Sequence, residues 1–341
     1  MLLPCLFLSL GADMRRREFI AGLGGAAVAW SLSARAQSER VRRIGVLVNR
    51  AENNPDARAR LNSFKQGLEQ HGWSEGRNIR LDIRYGNSRP ELYQAHAKEL
   101  VASQPDSIFA HTTPVVAALK RETSTIPIVF VSVSDPIGSG FITSMARPGG
   151  NVTGLMLYEA GITGKWLSML KEIAPSLARA ALIANPNTTP INYYVGSAKT
   201  IAASMGIEVI PRPVASAADI EQAVAGIGKT PNGGLVVLPS ATILEHGELV
   251  VALAARHRVP AVYPIRYFVT AGGLMAYSTD LVEQSRQAAT YIDRILRGAK
   301  PVDLPVQAPT KYETILNLRT AKSLGLEVPS SLLVRADEVI E

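Results

Sequence analysis

Val41-Arg-Arg-Ile-Gly-Val-Leu-Val-Asn49, followed by Asp56-Ala-Arg-Ala-Arg-Leu-Asn-Ser-Phe-Lys-Gln-Gly-Leu-Glu-Gln-His71, reads as one buried strand and one amphipathic helix with Leu61, Phe64 and Leu68 on a single face. The same step recurs downstream. Strand Asn78–Tyr85, helix Glu91–Ser103, strand Ser107–His111, helix Pro114–Glu122 and strand Ile128–Val133 follow with short connections carrying Pro, Asn or Gly. Strands alternating with helices predict a mostly parallel, doubly wound sheet of the α/β class.

Ala146-Arg-Pro-Gly-Gly-Asn151 interrupts the rhythm, and Val152–Leu157 resumes it as a strand, so the first hinge falls here. A second run has helix Gly161–Ile173, strand Ala180–Ala184, helix Ile191–Met205, strand Glu208–Pro211 and helix Ala217–Ile227. It continues with strand Leu235–Pro239, helix Ile243–Arg256, strand Ala261–Tyr263, strand Leu274–Tyr277 and helix Leu281–Arg297. The tail Leu304–Leu318 adds a strand-like segment before a short helix. A chain of 341 residues suits two domains of about 100–200 residues each. The expectation is two Rossmann-like lobes joined by a multi-strand hinge. Residues 41–155 with 278–305 would form the N-terminal lobe, and 156–277 with 306–341 the C-terminal one.

The first 36 residues read as an address. Arg15-Arg-Arg-Glu-Phe-Ile20 precedes an apolar run, Ala21 to Leu32, and resembles a twin-arginine export signal with its start at Met14. Ala34-Arg-Ala36 supplies the small residues that signal peptidase accepts, placing cleavage between Ala36 and Gln37 and the mature chain in the periplasm. The glycines Gly22, Gly24 and Gly25 belong to this leader, because no strand precedes them to scaffold a phosphate loop. The one cysteine, Cys5, also lies in it, which excludes disulfides and thiolate metal sites from the mature protein.

The net charge of +7 is spread along the chain, with no basic tract beyond Arg15–Arg17, so no nucleic-acid partner is expected. Catalytic signatures are also missing. Gly138-Ser139-Gly140 lacks the spacing of a nucleophile elbow, and His71, His96, His111, His246 and His257 form no pair at metal-ligand spacing. No metal and no cofactor is expected, and the chain reads as a binder, not an enzyme.

In open parallel sheets, ligands bind outside the carboxyl ends of the strands. The residues there are small and polar: Asn49, Thr112, Thr113, Ser132, Ser134, Asp135, Asn185, Asn187, Ser240 and Tyr263. Thr113-Pro114 would open a helix, either as a plain N-cap or with its free N–H groups beside a ligand carboxylate. Asp135 would either cap its own turn or accept from a ligand ammonium. Tyr263 and Tyr277 would supply stacking surface or pack in the core.

Pro127-Ile-Val-Phe-Val-Ser-Val-Ser-Asp-Pro-Ile-Gly-Ser-Gly140 and Ala146-Arg-Pro-Gly-Gly-Asn-Val-Thr-Gly154 resemble the ABC-transporter substrate-binding family typified by tryptophan- and tyrosine-binding lipoproteins. Tyr312-Glu-Thr-Ile-Leu-Asn-Leu-Arg-Thr-Ala-Lys-Ser-Leu-Gly-Leu326 and Pro329-Ser-Ser-Leu-Leu-Val-Arg-Ala-Asp-Glu338 are similar to that family's ending. The resemblance implies a type I periplasmic-binding-protein fold. It also implies two lobes that close on a small-molecule ligand and hand it to an ABC permease. The ligand expected is an amino acid, aromatic ones included, or a small organic acid, and the chain is expected to be a monomer. The resemblance places Asn49, Thr113, Asp135 and Asn185 in the cleft. An enzyme on the same scaffold and a sensor for a membrane receptor are the alternatives.

Overall fold

The computed structural model describes residues 40–341; the export signal, its cleavage site and Cys5 lie outside the described residues. Strands β1 (Arg42–Val48), β2 (Ile79–Tyr85), β3 (Ser107–His111), β4 (Ile128–Val133) and β5 (Val152–Met156) form one parallel sheet in the order β2-β1-β3-β4-β5. Its central strands are apolar on both faces, so each face must be covered. Helices α1 (Pro55–Gln70) and α10 (Leu281–Leu296) cover one face, with Phe64 stacked on Phe109 at 4.0 Å. Helices α2 (Pro90–Ala102) and α3 (Thr113–Glu122) cover the other.

A second sheet follows in the order β12-β11-β10-β9-β8-β6-β7. Its strands are β6 (Arg179–Ala184), β7 (Glu208–Pro213), β8 (Gly233–Val237), β9 (Ala261–Tyr263), β10 (Met275–Ser278), β11 (Glu313–Asn317) and β12 (Glu338–Ile340). Helices α4 (Ile162–Ile173) and α5 (Ile191–Ser204) pack on one face, α6 (Ala217–Gly228) and α8 (Gly247–Arg256) on the other. β11 runs antiparallel to β10, although β10 pairs in parallel with β9 and β11 in parallel with β12.

The chain passes between the sheets three times. The first passage follows β5 at Leu157-Tyr158, and the second follows β10 at Thr279-Asp280 and leads into α10. The third follows residues 306–307, where Gln307 pairs with Leu155 at the edge of the first sheet, and ends at β11.

Most element ends fall within two residues of expectation, and two segments differ by more. The single helix expected over Ile243–Arg256 is α7 (Ala241–Glu245) and α8, broken at His246, which has φ −101° and ψ 28°. Gly247 opens α8 because a Cβ there would lie 2.6 Å from the Tyr267 ring, on the short helix α9 (Arg266–Thr270). In the tail, the strand-like segment expected over Leu304–Leu318 is the shorter β11, the short helix after it is α11 (Leu318–Leu324), and α12 (Ser330–Val334) and β12 are additions. The last gains its strand state by pairing with β11, a partner no local pattern announces.

α1 and α10 approach closely at Gly67. A Cβ there would lie 2.7 Å from Ala289 Cβ and 2.7 Å from the Arg286 carbonyl oxygen. Gly67→Ala is therefore expected to cost about 2 kcal/mol in urea unfolding, because helix backbone must move. Gly226→Ala, in α6 with open space around it, is expected to gain about 0.5–1 kcal/mol from helix propensity alone. Equal midpoints for the two variants would refute the close-packing account.

Candidate functional site

Residues just after β1, β3 and β4 and residues just after β6, β8 and β9 line one cavity of ≈ 60 Å³. It therefore lies at strand carboxyl ends of both sheets, where α/β sheets present ligand-binding loops. Asn49, Thr112, Thr113 and Ser134 contribute from the first sheet and Ser240 from the second.

The backbone at this edge is held in uncommon conformations. Thr112 has φ +75°, Ser132 +58° and Asp135 +44°. For a β-branched residue such as Thr112 this is a true outlier, and such conformations persist where the surrounding structure holds them. At Ser132 the pairing of β4 with β5 shifts register between Val131 and Val133, so the strand bulges and turns Ser132 into the cavity.

α3 begins at the same place. Its N-cap, Thr112, makes no side-chain cap, and Thr113 Oγ1 instead accepts from the Ser134 amide at 3.2 Å. The first-turn N–H groups of α3 thus lack a side-chain acceptor at the cavity wall, an arrangement that suits an acceptor from elsewhere. Among the described residues, two buried acceptors at the cavity are also without partners: Asn49 Oδ1 and Thr112 Oγ1. Ser134 Oγ pairs at 2.7 Å with the Tyr194 hydroxyl of α5, a direct hydrogen bond from the first sheet's edge to a helix of the second.

Arg60 was not anticipated and is the charged member of the wall. It projects from α1, four residues before Phe64, and is 8% exposed. Its guanidinium forms no hydrogen bond or ion pair with any described residue. Burial lowers its pKa to about 10, with Asp56 offsetting part of the effect, so it stays cationic. Next to it, His111 is fully buried with neither ring nitrogen bonded to a described residue, and burial and the Arg60 charge depress its pKa to about 3. The imidazole is neutral and adds no charge to the site.

A larger cavity of ≈ 390 Å³ shares Arg60, Ile265 and Leu281 with the first. Acidic groups line it, Asp56, Asp280 and Glu313, beside Arg266, which pairs with Glu338 and, at 3.8 Å, with Glu313. Arg60 stands at the junction of the two spaces.

The other expected residues lie elsewhere. Asn185 sits one layer behind Ser240, donating to Thr242 Oγ1 at 2.7 Å and accepting from the Asn187 amide at 2.9 Å. Asn187 is exposed. Asp135 accepts from Gly138 N at 2.8 Å and so caps its own turn. Tyr263 is buried in the core of the second sheet, stacked on Phe268 at 5.1 Å. Tyr277 stacks on Tyr312 at 5.0 Å, with Lys165 Nζ 5.5 Å from its ring centre. Among the described residues, no group of three or more His, Cys, Asp or Glu is placed to hold a metal ion.

The family described as ABC transporter substrate binding protein matches residues 43–340. A tyrosine-binding protein of Clostridioides difficile is 25% identical over 294 residues, covering 86% of this chain and 84% of that protein. A conserved domain protein from Vibrio cholerae has a TM-score of 0.82 at 26% identity, over 88% of this chain and 100% of its own. The ABC domain from Streptococcus pneumonia solved in complex with L-Trp has a TM-score of 0.81 at 24% identity, over 88% of this chain and 99% of its own.

Proposed function

Since the chain belongs to the ABC transporter substrate-binding protein family, we propose that it is the exported capture component of an importer. It takes an amino acid or a small organic acid between two closing lobes and passes it unaltered to a membrane permease. Its fold is that of the type I periplasmic binding proteins. The lobes are residues 41–155 with 278–305 and residues 156–277 with 306–341.

The observation that carries this reading is the cavity whose walls come from the strand ends of both sheets. A ligand there touches both halves at once, so it binds the closed arrangement better than the open one and shifts the population toward closure. Asn49, Thr112, Thr113, Ser134 and Ser240 supply neutral donors and acceptors, and Leu157, Leu244, Ile265 and Leu281 supply apolar surface. The tyrosine-binding relative and the L-Trp complex support an amino-acid ligand, and the Arg15–Arg17 leader supports work outside the inner membrane.

Thermal unfolding of the purified protein against amino acids and organic acids tests this. A true ligand at 100 times its dissociation constant is expected to add about 2.7 kcal/mol to stability. Mass spectrometry should then recover the ligand chemically unchanged. Conversion to a product, or no stabilisation by any solute offered, would remove the transport reading.

A further inference from the structure

A guanidinium buried at the meeting of two cavities with no carboxylate bonded to it is an unstable arrangement, and Arg60 is in that position. It is more than nine-tenths buried, unpaired among the described residues, and set at the junction of both cavities. The smaller cavity has no Asp or Glu in its lining; Asp56, Asp280 and Glu313 line the larger one, and none of them bonds to Arg60, so on the smaller cavity's side the cation has no counter-charge. Its remaining features also suit an anion's neighbourhood: the uncapped start of α3, the hydroxyls of Thr112, Ser132 and Ser240, and apolar walls beyond them.

We infer that Arg60 reads the charge of the ligand: a carboxylate pairs with its guanidinium between the two sheets, and that pairing makes closure conditional on an anionic group. The inference rests on the solute-capture reading above. Buried charges are tolerated when paired and costly when not. Closing over a neutral solute therefore leaves Arg60 desolvated without a hydrogen-bonded partner, whereas closing over a carboxylate gives it a planar, bidentate one. Arg60 would reject neutral look-alikes by this cost as well as select acids by attraction. The acid group is common to α-amino acids and to simple organic acids. Asn49 Oδ1, buried and unpartnered, is placed to favour whichever carries a donor near the carboxylate.

The test is calorimetric titration of the purified wild-type protein and of Arg60→Met and Arg60→Lys. The panel contains the amino acids, their des-amino acids, the matching primary amides, and neutral sugars. The tightest wild-type ligand is expected to be a carboxylate, with its amide about 100-fold weaker. Arg60→Met should lose the acid by a similar factor, and Arg60→Lys should retain part of the affinity. Whether the amino acid or the des-amino acid binds tighter assigns the source of the carboxylate.

Thermal unfolding without ligand separates this role from a structural one. Arg60→Met is expected to unfold at or above the wild-type temperature, since it removes an unpaired buried charge. A clear fall would mark Arg60 as structural and overturn the inference. A neutral or cationic tightest ligand, or a carboxylate affinity unchanged in Arg60→Met, would overturn it while leaving solute capture standing. Failure of every panel member to bind would overturn both.

Discussion

Replacing Gly154 with alanine is expected to lower the stability of the folded chain by about 3 kcal/mol. Gly154 stands in β5 with φ +148°, a conformation that residues with side chains rarely adopt. A Cβ there would lie 2.1 Å from the carbonyl oxygen of Phe130 and 2.6 Å from its amide nitrogen. Both are main-chain atoms of β4, and Phe130 is the residue paired with Gly154 across the sheet. Relief of the clash therefore requires strand separation.

The damage would spread along both edges of β5. One edge is the pairing with β4; at the other, Gly154 O accepts from Gln307 N at 3.0 Å. β5 also runs directly into the first passage between the sheets. Gly150→Ala is the control, since nothing lies within 4 Å of its added methyl, and it should stay within about 0.5 kcal/mol of wild type. Chemical denaturation of the two variants side by side checks the claim, and coincident midpoints would defeat it.

Tyr158→Ala is expected to cost about 4 kcal/mol, the upper range for removing a buried aromatic ring. Tyr158 lies on the first passage, fully buried, with its ring edge-on to Trp166 at 5.3 Å. Its hydroxyl accepts from the Thr279 amide at 3.3 Å and donates to the Pro264 carbonyl. Thr279 is on the second passage. The ring also stacks, 6.2 Å away, on Tyr312, which is on the third.

One side chain thus ties together all three connections on which a hinge between the sheets would depend. Burial raises the pKa of the hydroxyl, so it remains a donor across the accessible pH range. Tyr158→Phe keeps the ring and strands two main-chain groups, which should cost about 1–2 kcal/mol. Hydrogen exchange at the Thr279 amide is expected to accelerate in the Phe variant, because its acceptor is gone. If the Phe variant lost as much stability as the Ala variant, ring packing would count for nothing and this account of the hinge would fall.

Much of the fold was legible because strand and helix periods are local properties. β3, β4 and β9 have the bounds read from pattern alone, since their apolar runs are short and flanked by turn residues. The break at His246 was invisible, because it answers to Tyr267 and not to its own neighbours. At the site, Asn49, Thr112, Thr113, Ser134 and Ser240 were readable as polar residues directly after strands. Tyr263 fits the same rule, yet packs in a core, because the rule gives a position along the strand and no side-chain direction. Arg60 carried a signal that was available, a charge on the face of α1 shared with Phe64, where burial makes a cation expensive.

The order of elements, the division into two wound sheets and the polar character of their carboxyl edges follow from the amino-acid sequence by itself. They depend on spacings of a few residues, which hydrophobic burial reads directly. Tertiary structure alone decided which edges enclose a common cavity, that Asp135 turns back on its own loop, and that Arg60 bonds to no other described residue. Those outcomes are set by desolvation and hydrogen bonding among segments far apart in the chain, where no local spacing records who will meet whom.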